Sequence, residues 1–428
     1  MKSGKDVVRL VAGAFAGQGL VVLAAPVLTR MYLPSDFGVL VFYVSVISAF
    51  SVVVGLRYDA AITIATTEEE AFYLTALSSF SSFILSILFY ALAVLCVRFN
   101  LVPQEYASYV WIVPISVFSI GVFNALSAYA VRRKSYKVIA KSKVTQGAAQ
   151  VLGQLLFGWL GFGAAGLLVG DMLGRIVTIP SVFKVFKDSF GNISSWPKSF
   201  RKAIEIATAF RSFPLVSTWA ILFNSVSVQM PAMLVGGIFG SNVAGYFGLT
   251  QRVVAGPLRI ISLAVQQVFI GNASSLIRDR QKGLFRLCST NLVRLSVLSF
   301  AVLLFIYFLP RDAFVFIFGS DWSESYEYIR ILAVMFSVQF IVVPISQTLV
   351  LLRYQNIQLL WDVARLLTLI LITYLVVERS MSPFEYFIGL SFVMIFFYVL
   401  LLLLVLRFTA KFDKSHGSLE SKSESKEV

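Results

Sequence analysis

Twelve apolar stretches, each about as long as a membrane-crossing helix, follow one another along this chain. A spanning α-helix needs roughly 20 consecutive apolar residues, and only a helix or a closed barrel satisfies its own backbone hydrogen bonds in hydrocarbon. The stretches lie near 8–29, 37–56, 71–97, 107–131, 144–160, 162–183, 214–238, 243–270, 287–309, 326–352, 356–377 and 384–406. We therefore expect an all-α polytopic membrane protein with about twelve transmembrane helices.

The rest of the composition excludes most soluble chemistry. Of the 428 residues, 58% are hydrophobic and 14% are charged, whereas soluble domains are nearer half apolar and a quarter charged. His416, the only histidine, lies in the polar tail, and Cys96 and Cys288 lie in or beside apolar stretches without CxxC spacing. The sequence also lacks a GxxxxGK(S/T) nucleotide loop. We expect no metal site, no cofactor and no enzymatic activity.

The basic residues are distributed unequally between the two sides of the membrane. With the N-terminus inside, 26 of the 36 lysines and arginines fall on the inner side and 5 on the outer side. An excess of Lys and Arg in short cytoplasmic loops sets the orientation of membrane proteins. The net charge of +14 is therefore explained by orientation rather than by a nucleic-acid partner, and we predict that both termini are cytoplasmic.

One long connection divides the spans into two groups of six. We predict an N-terminal six-helix bundle over 1–186, a cytoplasmic linker over 187–213 and a C-terminal six-helix bundle over 214–408. The two bundles would surround a central cavity, and the polar tail, 409–428, is predicted to be disordered. In the linker, apolar residues at helical spacing among basic ones predict a helix that lies in the membrane interface. The segments 34–38 and 240–245 are weakly alike, which suggests a repeat related by an axis along the membrane normal.

Span eight carries polar residues at positions i, i+7 and i+14, namely Arg252, Arg259 and Gln266. On a regular helix these share one face, so they predict a cationic stripe that lines a water-filled lumen and binds an anionic headgroup. Arg57, at the inner end of span two, and Arg294, in span nine, complete the predicted substrate-binding set. The alternative is that an arginine side chain extends to the lipid headgroups, which fits Arg259 and Arg294 better than Arg252.

Two spans each contain an acid and an arginine about one helical turn apart. Asp171 and Arg175 are spaced i, i+4 in span six, and Asp362 and Arg365 are spaced i, i+3 in span eleven. Each could be a neutralising structural pair, or its carboxylate could lose and regain a proton during transport. Asp59 lies beside Arg57 and is predicted to be a gate or structural contact. Ion coupling or gating is therefore assigned to these residues as a hypothesis.

Four loose motifs in order resemble the polysaccharide-export branch of the multidrug/oligosaccharidyl-lipid/polysaccharide exporter superfamily. They are PVLTRMYLPSDFG at 26–38, GLRYDAAI at 55–62, GYFGLTQRVVAGP at 245–257 and FGSDWSESY at 318–326. With twelve spans in a six-plus-six arrangement, the resemblance covers nearly the whole chain, and it is greatest to O-antigen-type lipid-linked oligosaccharide flippases. The motifs mark turns and helix contacts, so the resemblance bears on fold and substrate class more than on site residues.

This resemblance implies a flippase of the bacterial inner membrane. Its substrate would be an undecaprenyl-diphosphate-linked oligosaccharide, an O-antigen or exopolysaccharide repeat unit, moved from the cytoplasmic to the periplasmic leaflet by alternating access. Implied partners are membrane lipid, H⁺ or Na⁺ as coupling ion, and glycan polymerases. Three alternatives stay open: a cation or drug exporter of the same superfamily, which should have an acidic cavity; a membrane enzyme of glycan polymerisation or ligation, which should have a long outer loop; and a structural scaffold.

Overall fold

The structure, a computed structural model, describes the backbone of residues 2–190 and 199–424, and the side chains of 12–190, 199–219 and 221–415. Within these residues every regular element is a helix. The chain forms two compact units, Met1–Leu249 and Thr250–Val428. This division falls later than the predicted linker, because the seventh apolar stretch packs with the first six. The boundary at 187–213 between two sequence repeats stays a prediction.

The first unit contains twelve α-helices and one π-helical turn, Phe213–Ser217, among the described residues. The helices are α1 (Lys2–Leu23), α2 (Ala25–Met31), α3 (Pro34–Ser51), α4 (Tyr58–Ile62), α5 (Glu68–Arg98), α6 (Gln104–Ala107), α7 (Ile112–Arg132), α8 (Tyr136–Trp159), α9 (Ala164–Ile176), α10 (Ile179–Phe190), α11 (Phe200–Ala209) and α12 (Thr218–Thr250).

The second unit begins with a π-helical turn, Gln251–Ala255, and includes a short 3₁₀ turn, Ser320–Trp322. Its helices are α13 (Gly256–Arg278), α14 (Leu284–Phe308), α15 (Arg311–Phe318), α16 (Ser325–Ser346), α17 (Thr348–Leu351), α18 (Gln355–Glu378) and α19 (Pro383–Glu424).

The helices confirm the prediction of an all-α protein with about twelve spans. Ten helical runs in the described residues are long and apolar enough to cross a membrane. One of them, Phe213–Arg278, is 66 residues long and contains two of the predicted stretches, separated at Gly240. The remaining stretch is α8, whose glutamines lower its hydropathy. The chain is therefore a multi-pass membrane protein.

Gly240 makes a turn without a loop between the seventh and eighth apolar stretches. Its φ of 81° and ψ of 178° lie outside the helical region and in a region open mainly to glycine, which has no Cβ. The backbone on either side is helical, so the turn is made at this one residue.

A reciprocal close contact joins α3 to the last turns of α12. A Cβ added at Gly38 would overlap the carbonyl oxygen of Ser241, and a Cβ added at Gly245 would overlap the carbonyl oxygen of Pro34. Small residues allow helix backbones to approach this closely in membranes. Nearby, the Ser241 hydroxyl donates to Glu105 Oε2 at 2.6 Å. The segments 34–38 and 240–245, which the sequence relates as a weak repeat, thus lie against each other.

Glycines also bring α1, α8 and α9 together. Gly17 on α1 lies directly against the backbone of Lys143 on α8, and a Cβ added at Gly153 on α8 would lie 3.0 Å from the Cα of Gly170 on α9. These three helices are therefore held close along their length. These close glycine contacts fix the positions of Lys143 on α8 and of the acid–arginine pair in the following turns of α9.

The predicted linker helix is present as α11, while residues 191–198 of the linker lie outside the described part of the chain. Its start is capped by the Ser199 hydroxyl, which accepts from the Lys202 N–H at 3.3 Å. Ile206 is buried in the core of the first unit, beside Phe72 and Phe186. Phe200 on the same helix is exposed, and its position in the membrane interface stays a prediction.

The tail differs from the prediction, because α19 continues as a helix through Glu424. Residues 409–424 are therefore helical rather than disordered; lysine and glutamate are good helix formers, and an existing helix provides the nucleus. Asp413 on this extension accepts hydrogen bonds from the backbone N–H groups of Gly283, Leu284 and Phe285, at 3.0 to 3.2 Å. The carboxylate thus caps the N-terminus of α14.

Replacing Asp413 by Ala should lower the free energy of unfolding by about 1–2 kcal/mol, because three helix N–H groups lose their acceptor and the helix dipole loses an anion. Thermal unfolding of the purified protein in detergent measures the change. Asp279→Ala is the control, since this carboxylate makes an exposed pair with Arg278. Equal melting temperatures for both variants would contradict the role of Asp413.

Candidate functional site

The first unit holds an ion pair in the middle of the sixth apolar stretch. Arg175 donates from Nε to Asp171 Oδ2 at 2.7 Å and from a terminal nitrogen to Oδ1 at 3.3 Å. The Asp171 side chain is 6% exposed and that of Arg175 is 15% exposed. This two-point geometry is the strong form of an arginine–carboxylate pair. The i, i+4 pair expected from the sequence is therefore formed, and it is buried.

A second cation and two hydroxyl groups surround this pair. The Tyr43 and Ser116 hydroxyls bond to each other, and Tyr43 lies close enough to Asp171 and Arg175 to interact electrostatically with both. Lys143 lies with its ammonium 4.7 Å from the ring centre of Phe123 and also interacts electrostatically with Arg175. This cluster, defined by Tyr43, Lys143, Asp171 and Arg175, therefore contains two basic side chains and one carboxylate, which is an excess of basic groups.

Sequence reasoning missed Lys143 and Tyr43. The orientation count places Lys143 in a cytoplasmic loop, whereas the structure places it about two turns into α8. Its spacing to Gln146 is the signal that could have found it, because residues three apart share a helix face. The two side chains do meet, with Nζ 3.4 Å from the Gln146 amide oxygen. Tyr43 carries no such signal in the sequence.

The second unit holds its own acid–arginine pair. Arg365 donates to Asp362 Oδ1 at 3.2 Å, and its guanidinium stacks 4.6 Å from the ring centre of Trp361. Trp361 is itself fixed, because its indole N–H donates to the Phe397 carbonyl oxygen at 2.8 Å. Arg365 is buried and Asp362 is half-buried. The i, i+3 pair expected in span eleven is therefore present and rigidly supported.

The predicted stripe on span eight does not lie on a regular helix. Arg252 falls inside the π-helical turn Gln251–Ala255, which takes more residues per turn than an α-helix and shifts the register of the helix after it. Arg252 and Gln266 are half-buried, whereas Arg259 is exposed. The regular helix that the expectation of one shared face assumes is therefore interrupted at Arg252, while a lumen lined by these residues stays a prediction; Arg294 on α14 is also exposed.

Arg57, the residue before α4, meets Asp59 in the first turn of that helix. Arg57 lies 3.7 Å from the Asp59 carboxylate, and burial raises the pKa of Asp59 while Arg57 opposes that rise. Leu56 and Arg57 both have positive φ, at 47° and 59°, although neither is glycine. Two consecutive residues in the left-handed region store backbone strain, which is typical of functional turns. The structure thus brings together the pair expected at the end of span two.

The comparisons with known proteins agree with a transporter fold. A family model described as "Polysaccharide biosynthesis protein" matches residues 27–327. The chain is also 22% identical over 324 residues to the succinoglycan biosynthesis transport protein ExoT of Rhizobium meliloti (strain 1021). That match covers 74% of this chain and 62% of the relative, so the chain spans less than two thirds of that protein's length.

Solved structures with the same fold are transporters of the MOP superfamily. A multidrug resistance transporter of the MATE family in an inward-facing conformation is 16% identical, with a TM-score of 0.72 over 96% of this chain and 99% of that one. A MOP superfamily transporter from Pyrococcus furiosus Vc1, described as having a binding pocket of reverse polarity, is 15% identical with a TM-score of 0.62 over 95% of this chain and 96% of that one. At these identities the likeness establishes the fold.

Proposed function

We propose that this chain, which belongs to the polysaccharide biosynthesis protein family, is a flippase. It moves an undecaprenyl-diphosphate-linked oligosaccharide from the cytoplasmic to the periplasmic leaflet. The observation that carries the proposal is the excess of basic groups in the buried cluster of Tyr43, Lys143, Asp171 and Arg175. A drug cation would be repelled there, whereas a pyrophosphate would be attracted. The excess therefore favours a lipid-linked anion over the cationic substrate of a drug exporter.

Arginine side chains are suited to the transfer of a sugar–pyrophosphate headgroup across the membrane. A sugar–pyrophosphate headgroup cannot cross about 30 Å of hydrocarbon without polar partners. A guanidinium replaces the water around a phosphate with paired, charge-assisted hydrogen bonds. Arg252, half-buried in span eight, is proposed as the central phosphate contact, and Arg57 at the inner turn as the entry contact. Arg259, Gln266 and Arg294 are proposed as further contacts along the headgroup's path.

The acid–arginine pairs are proposed to act as gates. A phosphate that binds Arg175 competes with Asp171, and the released carboxylate can then take up a proton or sodium ion. Asp362 and Arg365 would make the same exchange in the second unit. Asp59, whose raised pKa reflects burial, is proposed to control the inner turn with Arg57. Rocking of one six-helix repeat against the other would supply alternating access.

Substitution of Arg252 tests the proposed function. Arg252→Ala should abolish surface polysaccharide in cells that depend on this protein, and Arg252→Lys should restore only part, because an ammonium keeps the charge but loses the planar fork. Surface polysaccharide and membrane protein level are measured together. Arg278→Ala is the matched control, because that side chain is largely exposed and pairs with Asp279.

The charge at position 252 is the quantity under test. Arg252→Gln keeps polar volume and hydrogen-bonding capacity without charge, so it should export as poorly as Arg252→Ala. Export by Arg252→Gln at the parental level, with the protein at normal abundance, would show that a cation is unnecessary there. The proposed phosphate contact would then be wrong.

A further inference from the structure

A basic surface lies in the second unit where the turn between α13 and α14 meets the end of α19. The Asp413 carboxylate on α19 accepts hydrogen bonds from the backbone N–H groups of Gly283 and Leu284 through Oδ1, and from that of Phe285 through Oδ2. These bonds join two segments that are 128 to 130 positions apart in the chain. Five exposed basic side chains, which we call the basic patch, belong to the joined segments: Arg280, Arg286, Arg407, Lys411 and Lys414.

The α19 part of the basic patch forms a single stripe. Arg407, Lys411 and Lys414 are spaced i, i+4 and i+7, which places them on one face of the helix. Val405 and Thr409, on the opposite face, are fully buried. The stripe therefore points away from the core of the second unit.

The two described carboxylates of the joined segments are already engaged. Asp413 bonds to backbone N–H groups, and Asp279 pairs with Arg278 at 3.1 Å. Within the described side chains, no ion pair involves a residue of the basic patch. The patch is therefore a group of exposed cations without a counterion from the described part of the protein.

A turn of the first unit, between α7 and α8, provides a comparison. It is also basic, but Arg132 and Arg133 lie 3.5 and 3.7 Å from the same carboxylate oxygen of Glu68. The planar fork of arginine binds a phosphate at two points, and here both guanidinium groups already have an anionic partner. Membrane orientation accounts for basic residues in both units, but not for this difference in their partners.

The basic patch lies next to the hydrocarbon zone of the protein. Arg407 directly follows the apolar stretch 384–406, and Arg280 and Arg286 flank the turn between two helices long and apolar enough to span a membrane. Between these arginines, the Phe285 side chain is 41% exposed. Basic clusters immediately beside spanning helices attract anionic lipid headgroups, and an exposed ring among them suits the membrane interface.

We propose that the basic patch binds the phosphate groups of anionic phospholipids. A lipid with two phosphates, such as cardiolipin, suits it best, because one phosphate can bind the two arginines beside α14 while the other binds the stripe on α19. Charge complementarity at the level of the headgroups favours a lipid over an acidic protein. The bound lipid would hold α14 against α19, and this role does not depend on what the protein transports.

Removal of charge tests the site. The test variant combines three substitutions in the basic patch: Arg280→Gln, Arg286→Gln and Lys411→Gln. The control combines three at exposed lysines in and after the turn between α7 and α8: Lys134→Gln, Lys137→Gln and Lys141→Gln. Binding of cardiolipin to the full chain in phosphatidylcholine nanodiscs is measured by native mass spectrometry. We expect a loss of affinity of roughly tenfold or more in the test variant and no change in the control.

Separating the two segments provides a second test with the opposite change in charge. Asp413→Ala removes the bonds that join the segments, while it keeps all five basic side chains and raises the net positive charge. We expect it to bind cardiolipin roughly fivefold more weakly, whereas a general attraction between charges would keep or raise the affinity. Asp279→Ala is the control, because it removes a carboxylate without breaking the contact between α14 and α19.

Three results would overturn the proposal. One is an equal loss of cardiolipin affinity in the two triple variants, and another is parental affinity in Asp413→Ala. The third is a parent chain that binds cardiolipin no better than phosphatidylcholine; an acidic protein retained by the parent but lost from the test variant would then take the place of the lipid.

Discussion

Replacing Arg175 by Met should destabilise the first unit by about 3–5 kcal/mol, because the Asp171 carboxylate would remain buried without its two-point partner. Replacing both residues, as Asp171→Leu with Arg175→Met, should restore most of that loss, since an apolar pair of similar volume avoids the cost of burying charge. Unfolding in mixed micelles measures both variants. The double variant is informative because it separates folding from transport.

Export is the second measurement on these variants. If the pair is a structural contact, the double variant should export polysaccharide normally once its stability is restored. We expect it instead to export nothing, because it lacks the phosphate-binding cation and the exchangeable carboxylate. The equivalent replacement of Asp362 and Arg365 provides a matched comparison in the second unit. Normal export by the stable double variant would assign Asp171 and Arg175 to structure alone.

Replacing Gly245 by Ala should lower the free energy of unfolding by about 1–3 kcal/mol, since the new methyl group overlaps the backbone of Pro34 and forces α3 away from α12. The loss should exceed the roughly 1 kcal/mol that alanine gains over glycine in a helix. Gly237→Ala on α12 is the control, because a Cβ there meets nothing within 4 Å. That variant should be neutral or slightly more stable.

The reciprocal geometry makes a sharper prediction for the double variant. Gly38 and Gly245 serve the same contact, so once one methyl group has separated the helices, the second costs little. Gly38→Ala with Gly245→Ala should therefore cost clearly less than the sum of the single variants. Simple additivity would mean that the two glycines act independently, and the close contact between α3 and α12 would then not be shared.

The spans could be predicted because hydrocarbon imposes one simple rule on the sequence. A helix of spanning length must be apolar, so its existence and length are visible without any tertiary contact. The ion pairs at Asp171 and Asp362 were visible for the same reason, since an acid at depth needs a partner and a neighbour four or three residues on can supply it. Both features are local in sequence.

The features that the sequence did not predict depend on backbone geometry or on distant segments. The π-helical turn at Gln251–Ala255 has no residue signature, yet it decides whether Arg252 and Arg259 share a face. The electrostatic interaction between Tyr43 and the Asp171–Arg175 pair joins residues more than 100 positions apart. The cap that Asp413 places on α14 likewise needs two distant segments to meet. Pattern alone does not specify such contacts.

The glycine contact between α3 and α12 has a consequence for the history of the chain. In the weak repeat, segment 34–38 corresponds to segment 240–245, and the glycine that ends each segment, Gly38 or Gly245, lies against the start of the other segment. A contact in which position i meets j and j meets i is the self-complementary edge of a two-fold symmetric homodimer. A single six-helix ancestor bearing one such edge could have paired with itself, and a tandem duplication would then have fused the dimer into one polypeptide while preserving its original interface.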